Sequence, residues 1–76
     1  MGKRLPVLSA ADIVKALSKV GFAVIPSRGK GSHIFTYRQD PAKGITIPNV
    51  KEVRRGTLRS IIREAGLTVD EFLLLL

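Results

Sequence analysis

Apolar residues recur with helical period near both ends of this chain, and glycine and proline cut the stretch between them into short runs of strand character. Few folds accept that order. Ala10, Ile13, Val14, Leu17 and Val20 fall at i, i+3, i+4, i+7 and i+10, one apolar stripe of a helix with Asp12, Lys15 and Lys19 on its other side. Ser9 and Asp12 make a capping-box pattern in front of it, and Gly21 is placed to end it in the left-handed conformation. The leader offers Leu5, Val7 and Leu8 for packing. Phe22–Ile25 is a short strand candidate, held to an edge or a bulge by Pro26. A second strand is predicted from His33 to Arg38, a turn over 39–44, and a third strand over Ile45–Ile47 that Pro48 stops. Leu58, Ile61, Ile62 and Ala65 mark a second helix closed by Gly66. Thr68 and Glu71 then form a capping box for a short third helix, whose Phe72 and four leucines are apolar nearly all round. The expected class is α+β: α-β-β-β-α, a three-stranded antiparallel sheet covered on one face by two helices, with a short extra C-terminal helix.

Length and charge narrow the function. At 76 residues the whole chain, 1–76, reads as one domain without cysteine. A chain this short hides only about 60% of its unfolded surface. The net charge is +7 and the pI about 10.6. Residues 1–20, 21–48 and 49–66 each carry +3, and 67–76 carry −2, so the positive charge belongs to the folded body and not to a tail. Such a field serves solubility, and it also favours polyanions, either nucleic acid or an acidic protein. One histidine and six scattered carboxylates do not suggest a protein-only metal cage, and no cofactor is expected. Lys3-Arg4 resembles the start of a signal peptide, but Pro6, Ser9, Asp12 and Lys15 interrupt any apolar run after it. The closing Phe72–Leu76 is too short to span a bilayer, so the expectation is a cytoplasmic protein with no membrane contact, part of whose apolar end meets another chain.

The chemistry concentrates in Arg28-Gly29-Lys30-Gly31-Ser32-His33. Glycine allows close backbone approach to a ligand, Arg28 and Lys30 supply charge for phosphate, and His33 is the only histidine. An unperturbed imidazole both takes and gives protons near neutral pH. A basic glycine-rich turn that delivers one histidine to a strand suits action on a phosphodiester. Further on, Lys51, Arg54, Arg55, Arg59 and Arg63 gather before and along the second helix, opposed within 54–63 by no carboxylate. The element order is similar to the double-stranded-RNA-binding fold, in which a basic cluster at the start of the last main helix contacts phosphates.

The ordered set Gly21-Phe22, Gly31-Ser32-His33, Ile45-Thr46-Ile47-Pro48, Gly56-Thr57-Leu58-Arg59-Ser60-Ile61-Ile62, Ala65-Gly66-Leu67 and Glu71-Phe72 resembles the HicA toxins, small mRNA interferases of toxin–antitoxin systems. The resemblance runs from about Leu8 to the C-terminus. It implies a double-stranded-RNA-binding-like fold, cleavage of mRNA during stress, neutralisation by a HicB-like antitoxin, and a catalytic role for His33. Many relatives carry another histidine shortly after the third-strand proline, where this chain has Asn49 and Val50, so a two-histidine mechanism is excluded. His33 then acts as general base or general acid, without metal, with Arg28, Lys30, the backbone of Gly31 and Ser32, or a helix-two arginine near the phosphate. Ser32 either orients the imidazole or only forms the turn. The free toxin is expected to be a monomer.

Two alternatives remain from the residues themselves. One is a non-catalytic RNA-binding module of the same fold. The other is a DNA-binding accessory, which the second helix supports poorly because it lacks a side-chain array for reading base edges. Period-2 alternation places His33, Phe35 and Tyr37 on one strand face and Ile34, Thr36 and Arg38 on the other. The aromatic face is the expected core face, so His33 would need a frayed strand start or a bulge at Gly31 to reach solvent.

Overall fold

The computed structural model describes residues 4–26, 28 and 31–76. In chain order the elements are α1 (Ala10–Ser18), β1 (Ala23–Val24), β2 (His33–Gln39), β3 (Ala42–Pro48), α2 (Arg55–Glu64) and α3 (Val69–Leu73). The strands form one antiparallel sheet in the order β1-β2-β3. This is the expected α+β architecture with its three-stranded sheet and short last helix.

Local chemistry explains the boundaries. Both capping boxes form: the Asp12 N–H donates to Ser9 Oγ at 3.1 Å, and the Glu71 N–H to Thr68 Oγ1 at 3.1 Å, with each carboxylate reaching back to its N-cap N–H. The first two helices end alike. Phe22 N–H reaches Leu17 O and Gly21 N–H reaches Ser18 O, while Leu67 and Gly66 make the same pair of bonds to Ile62 and Arg63. Gly21 (φ 97°) and Gly66 (φ 78°) hold the left-handed turn these closures require.

The strands depart from expectation in length. β1 is only two residues, Ala23 and Val24. β3 begins at Ala42, because Ala42, Lys43 and Gly44 pair with Gln39, Arg38 and Tyr37, leaving Asp40 and Pro41 as the whole turn. The hairpin is therefore seven residues on each side.

The orientation of β2 reverses the expected one. Thr36 is fully buried, Ile34 packs against the core, and Ile45 and Ile47 opposite them are fully buried. His33, Phe35 and Tyr37 point the other way. Thr36 tolerates the interior because its hydroxyl donates to Ile45 O at 2.9 Å, so no polar group is left unpaired there. Arg38 closes the inward row from its rim. Its guanidinium lies 4.7 Å from the Phe22 ring centroid, Nη1 donates to Ala65 O at 3.3 Å, and Nε donates to Pro41 O at 2.9 Å. Two residues that look polar in sequence thus belong to the covered face.

The core lies between that face and the helices. Ile13 and Leu17 of α1, Leu58, Ile61 and Ile62 of α2, and Phe72 of α3 are all buried, with Leu5 of the leader sealed among them. Val7 stays exposed and Leu8 is half-buried, bridging to Val53. The apolar C-terminus divides: Phe72 is inside, Leu73 and Leu75 are partly covered, and Leu74 is 82% exposed. Lys19 Nζ holds Leu75 O at 2.7 Å and fixes that end over α1.

Phe72→Ala removes a fully buried ring and is expected to cost about 3–5 kcal/mol. A domain of this length has only about 4–11 kcal/mol in total. Leu74→Ala is expected to stay within about 0.5 kcal/mol of the parent. Urea denaturation of the two variants checks the contrast.

Candidate functional site

His33 opens β2 at the end of the sheet where β3 leaves at Pro48, its register partner. Its side chain is exposed on the face turned away from the helices, and Ser32 and Gly31 beside it are exposed as well. Regular alternation along β2 therefore presents the imidazole to solvent without fraying. Gly31 adopts φ 53°, the left-handed turn that admits the chain into the strand. Ser32 O accepts the Asn49 N–H at 2.7 Å, which continues the hairpin ladder past Pro48 and holds the approach to His33 in place. Ser32 Oγ lies 3.2 Å from His33 Nδ1.

That contact couples the tautomer to the chemistry. If Nδ1–H donates to Ser32 Oγ, Nε2 keeps a free lone pair and suits a base. In the protonated ring both nitrogens donate, so Nδ1–H again rests on Ser32 Oγ and Nε2–H suits a donor. The serine oxygen thus holds the ring in the same way for either proton-transfer role.

The loop after β3 gathers cations at the same end of the sheet. Val50 O accepts the Ala10 N–H, and Val53 N–H donates to Leu8 O, so residues 49–53 run between the His33 end of the hairpin and the start of α1. Lys51 and Arg54 are exposed in and just after this run. Arg54 is the N-cap of α2 yet makes no side-chain cap bond, and the first turn holds no acidic residue. The partial positive charge of the helix start therefore adds to Arg54 and Arg55 instead of being offset.

The remaining arginines sit elsewhere. Arg55 and Arg59 line an open cavity of about 840 Å³ with Arg4, Leu5 and the start of α3. Arg59 and Arg63 line a smaller one between α2 and the Leu67–Val69 segment. This row belongs to the helix layer, whereas His33 faces out from the sheet. Arg55 also has a structural task, since Nε donates to Leu5 O at 2.9 Å and ties the leader down.

Among the described residues Arg28 shares the face of His33, with its guanidinium carbon 5.3 Å from the Phe35 ring centroid. Lys30 lies outside the described residues. Phe35 and Tyr37 stand on this face too, which the sequence pattern had assigned to the core. The signal was available in the third strand: Ile45 and Ile47 flank a polar Thr46 and are fully buried, so their facing residues on β2, Thr36 and Ile34, are the ones turned to the core. Among the described residues no three His, Cys, Asp or Glu side chains come together, and no helix is long and apolar enough to cross a membrane.

The model of the HicA toxin of bacterial toxin–antitoxin systems matches residues 10–67. This chain belongs to the HicA toxin family. The match runs from the first helical residue of α1 through the glycine closure of α2, so it includes the whole sheet and His33. A comparison with curated proteins returned no match. Family membership makes the chain a toxin of a toxin–antitoxin system, for which a cognate antitoxin is implied.

For this HicA-family toxin the two arginines one turn apart are expected to differ. Arg55→Ala breaks a charged hydrogen bond to the leader and should cost about 1.5–3 kcal/mol of stability. Arg59→Ala, on the cavity rim, should stay within about 0.5 kcal/mol. Equal losses on urea denaturation would remove the structural role given to Arg55.

Proposed function

We propose that this toxin is an mRNA interferase that cleaves RNA phosphodiester bonds without metal, with His33 as its proton-transfer residue. The observation that carries the proposal is the exposed His33 imidazole, held by Ser32 at the end of a sheet face that cations border. The family assignment supports a toxin, and the geometry supports the reaction class.

RNA brings its own nucleophile. The 2′-hydroxyl oxygen attacks the adjacent phosphorus, the O2′–P bond forms, and the P–O5′ bond breaks. As base, His33 Nε2 takes the 2′-hydroxyl proton while Nδ1–H rests on Ser32 Oγ, a role worth about 10²–10⁴-fold. The departing 5′-oxygen takes a proton from water or a lysine. In the reversed assignment protonated His33 supplies that proton from Nε2–H, and water takes the 2′-hydroxyl proton. Charge on the phosphorane is met by Arg28, by Lys30, two residues before Ser32 in sequence, and by the N–H groups of Gly31 and Ser32. Lys51, Arg54 and the Arg55, Arg59 and Arg63 row contact phosphates farther along the strand. Ser32 is a positioning residue.

A non-catalytic RNA-binding module of the same fold is the second reading, because a single exposed histidine also binds phosphate. The two part on one comparison. With a defined RNA in chelator, the native chain should yield ends bearing 2′,3′-cyclic phosphate, and His33→Ala should bind with similar affinity and lose at least about 10²-fold in cleavage. Cleavage that survives in His33→Ala would remove His33 from the mechanism. Absence of cleavage in both leaves the binding module.

The antitoxin partner is expected to be HicB-like and acidic where it meets Arg28, Lys51 and Arg54. Inhibition through those exposed charges should weaken as salt rises, since screening acts strongly at about 10 Å in 0.1 M salt. Inhibition measured across a salt series checks this, and a salt-insensitive complex would place the contact on the apolar end around Leu74.

A further inference from the structure

The outward face of the sheet carries more than an imidazole. Along β2 the outward residues are His33, Phe35 and Tyr37, and across β3 they meet Pro48, Thr46 and Gly44. Gly44 makes room for Phe35: a Cβ there would stand 2.7 Å from the ring Cζ and 2.9 Å from Cε1. The Phe35 ring therefore lies down across β3 instead of standing off the sheet. Arg28 reaches over that ring with its guanidinium. Ile25, Arg28, Phe35 and Tyr37 together line an open depression of about 360 Å³, and Tyr37 is 38% exposed at its edge.

This depression combines two aromatic rings with a planar guanidinium, which defines its partner. An acidic peptide would satisfy Arg28 but leave the ring faces without a stacking surface. A nucleic-acid duplex keeps its bases stacked within and presents mainly phosphate and sugar. An unpaired nucleotide offers a planar base for the rings and a phosphate for the guanidinium, the combination found on single-strand platforms. His33 and Phe35 are two strand rises apart, about 7 Å, so a base on the floor and a phosphate at the imidazole lie within one nucleotide's reach.

We propose that Phe35, Tyr37 and Arg28 form a base-stacking subsite that takes one unpaired base of single-stranded RNA beside the phosphate at His33. This rests on the reading of the chain as an RNA-directed toxin and specifies the form of its substrate: the strand is read open, from the sheet face, with the helix-layer arginines contacting only backbone.

Tyr37 is the one tyrosine and the chain has no tryptophan, so its intrinsic fluorescence reports on this subsite alone. The full chain carrying His33→Ala is titrated with a short single-stranded oligoribonucleotide, with the same sequence as a duplex, and with inorganic polyphosphate. The single strand should quench the tyrosine, while polyphosphate binds without quenching. Adding Tyr37→Ala should weaken single-strand affinity, read by anisotropy of labelled RNA, about 5- to 150-fold. Adding Tyr37→Phe instead should keep affinity within about twofold, because the ring is retained. Duplex and polyphosphate affinities should change little in either variant.

Single-strand binding without quenching overturns the subsite, as does an equal loss for all three probes, or no binding of single-stranded RNA. An acidic protein partner whose binding depends on Tyr37, with RNA affinity unchanged, overturns it in favour of a protein contact. These readouts involve no cleavage. A native chain that fails to cleave leaves a positive result standing, and a native chain that cleaves without tyrosine quenching in the His33→Ala protein removes the base subsite alone.

Discussion

The pairing of β2 with β3, pinned where the buried Thr36 hydroxyl donates to Ile45 O, decides which side of the sheet presents His33 to solvent. In a strand, a shift of one residue turns every side chain to the opposite face. With Thr36 against Ile45 and Ile34 against Ile47, the inward rows match the apolar faces of α1 and α2. His33, Phe35 and Tyr37 are then outward as a set. A one-residue slip of β2 would turn the imidazole inward and Ile34 and Thr36 outward. The register that fills the core is thus the same one that opens the site.

That arrangement divides the positive charge between two surfaces. The helix layer holds Arg55, Arg59 and Arg63 beside the start of α3. The sheet face holds Arg28 above Phe35. Between them, residues 49–54 connect the hairpin to α2 and carry Lys51 and Arg54 at the His33 end. A polyanion following the charge can pass from one surface to the other around that end, where the imidazole stands. A strand of RNA is long and flexible enough for such a path, whereas a small anion occupies one surface at a time.

Much of the architecture was legible because local signals agreed with tertiary ones. Ser9 and Asp12, Thr68 and Glu71, Gly21 and Gly66 each do in the fold what their spacing suggests, and the α1 and α2 stripes are the buried faces. The failure at β2 has a physical cause. Hydrophobic character alone ranks Phe35 and Tyr37 above Thr36 and Arg38 as interior residues. Burial here follows whether a side chain can satisfy its polar atoms, and Thr36 does so on Ile45 O while Arg38 does so on Ala65 O and Pro41 O at the rim. The lower edge of the hairpin was misread for a related reason. Turn-forming residues at 39–44 mask a ladder that runs to Gln39 and Ala42, because Gly44 serves Phe35 and not the turn. Of the site, the Gly31-Ser32-His33 turn was legible from residue types. The aromatic floor beside it was not, since it depends on the face that β2 turns outward.

The start of α2 shows what the fold gives up to keep its cations there. A helix beginning with an acidic first turn and a serine or aspartate cap gains about 1 kcal/mol from the cap and a further 0.3–1 from the dipole. α1 and α3 are built that way, and α2 begins instead with Arg54 and Arg55, with no side-chain cap and no carboxylate in the first turn. One arginine is partly compensated, because Arg55 Nε reaches Leu5 O. The rest of that field is unrelieved in the isolated chain, whose net charge is already +7. A ligand that binds only the folded form adds RT ln(1 + [L]/Kd) to stability, about 2.7 kcal/mol at a hundredfold excess over Kd. An anionic partner laid across the start of α2 supplies both that linkage and the missing counter-charge. The helix without a cap is thus a part of the fold that gains from an anionic partner, and it follows the loop at the end of the sheet that presents His33.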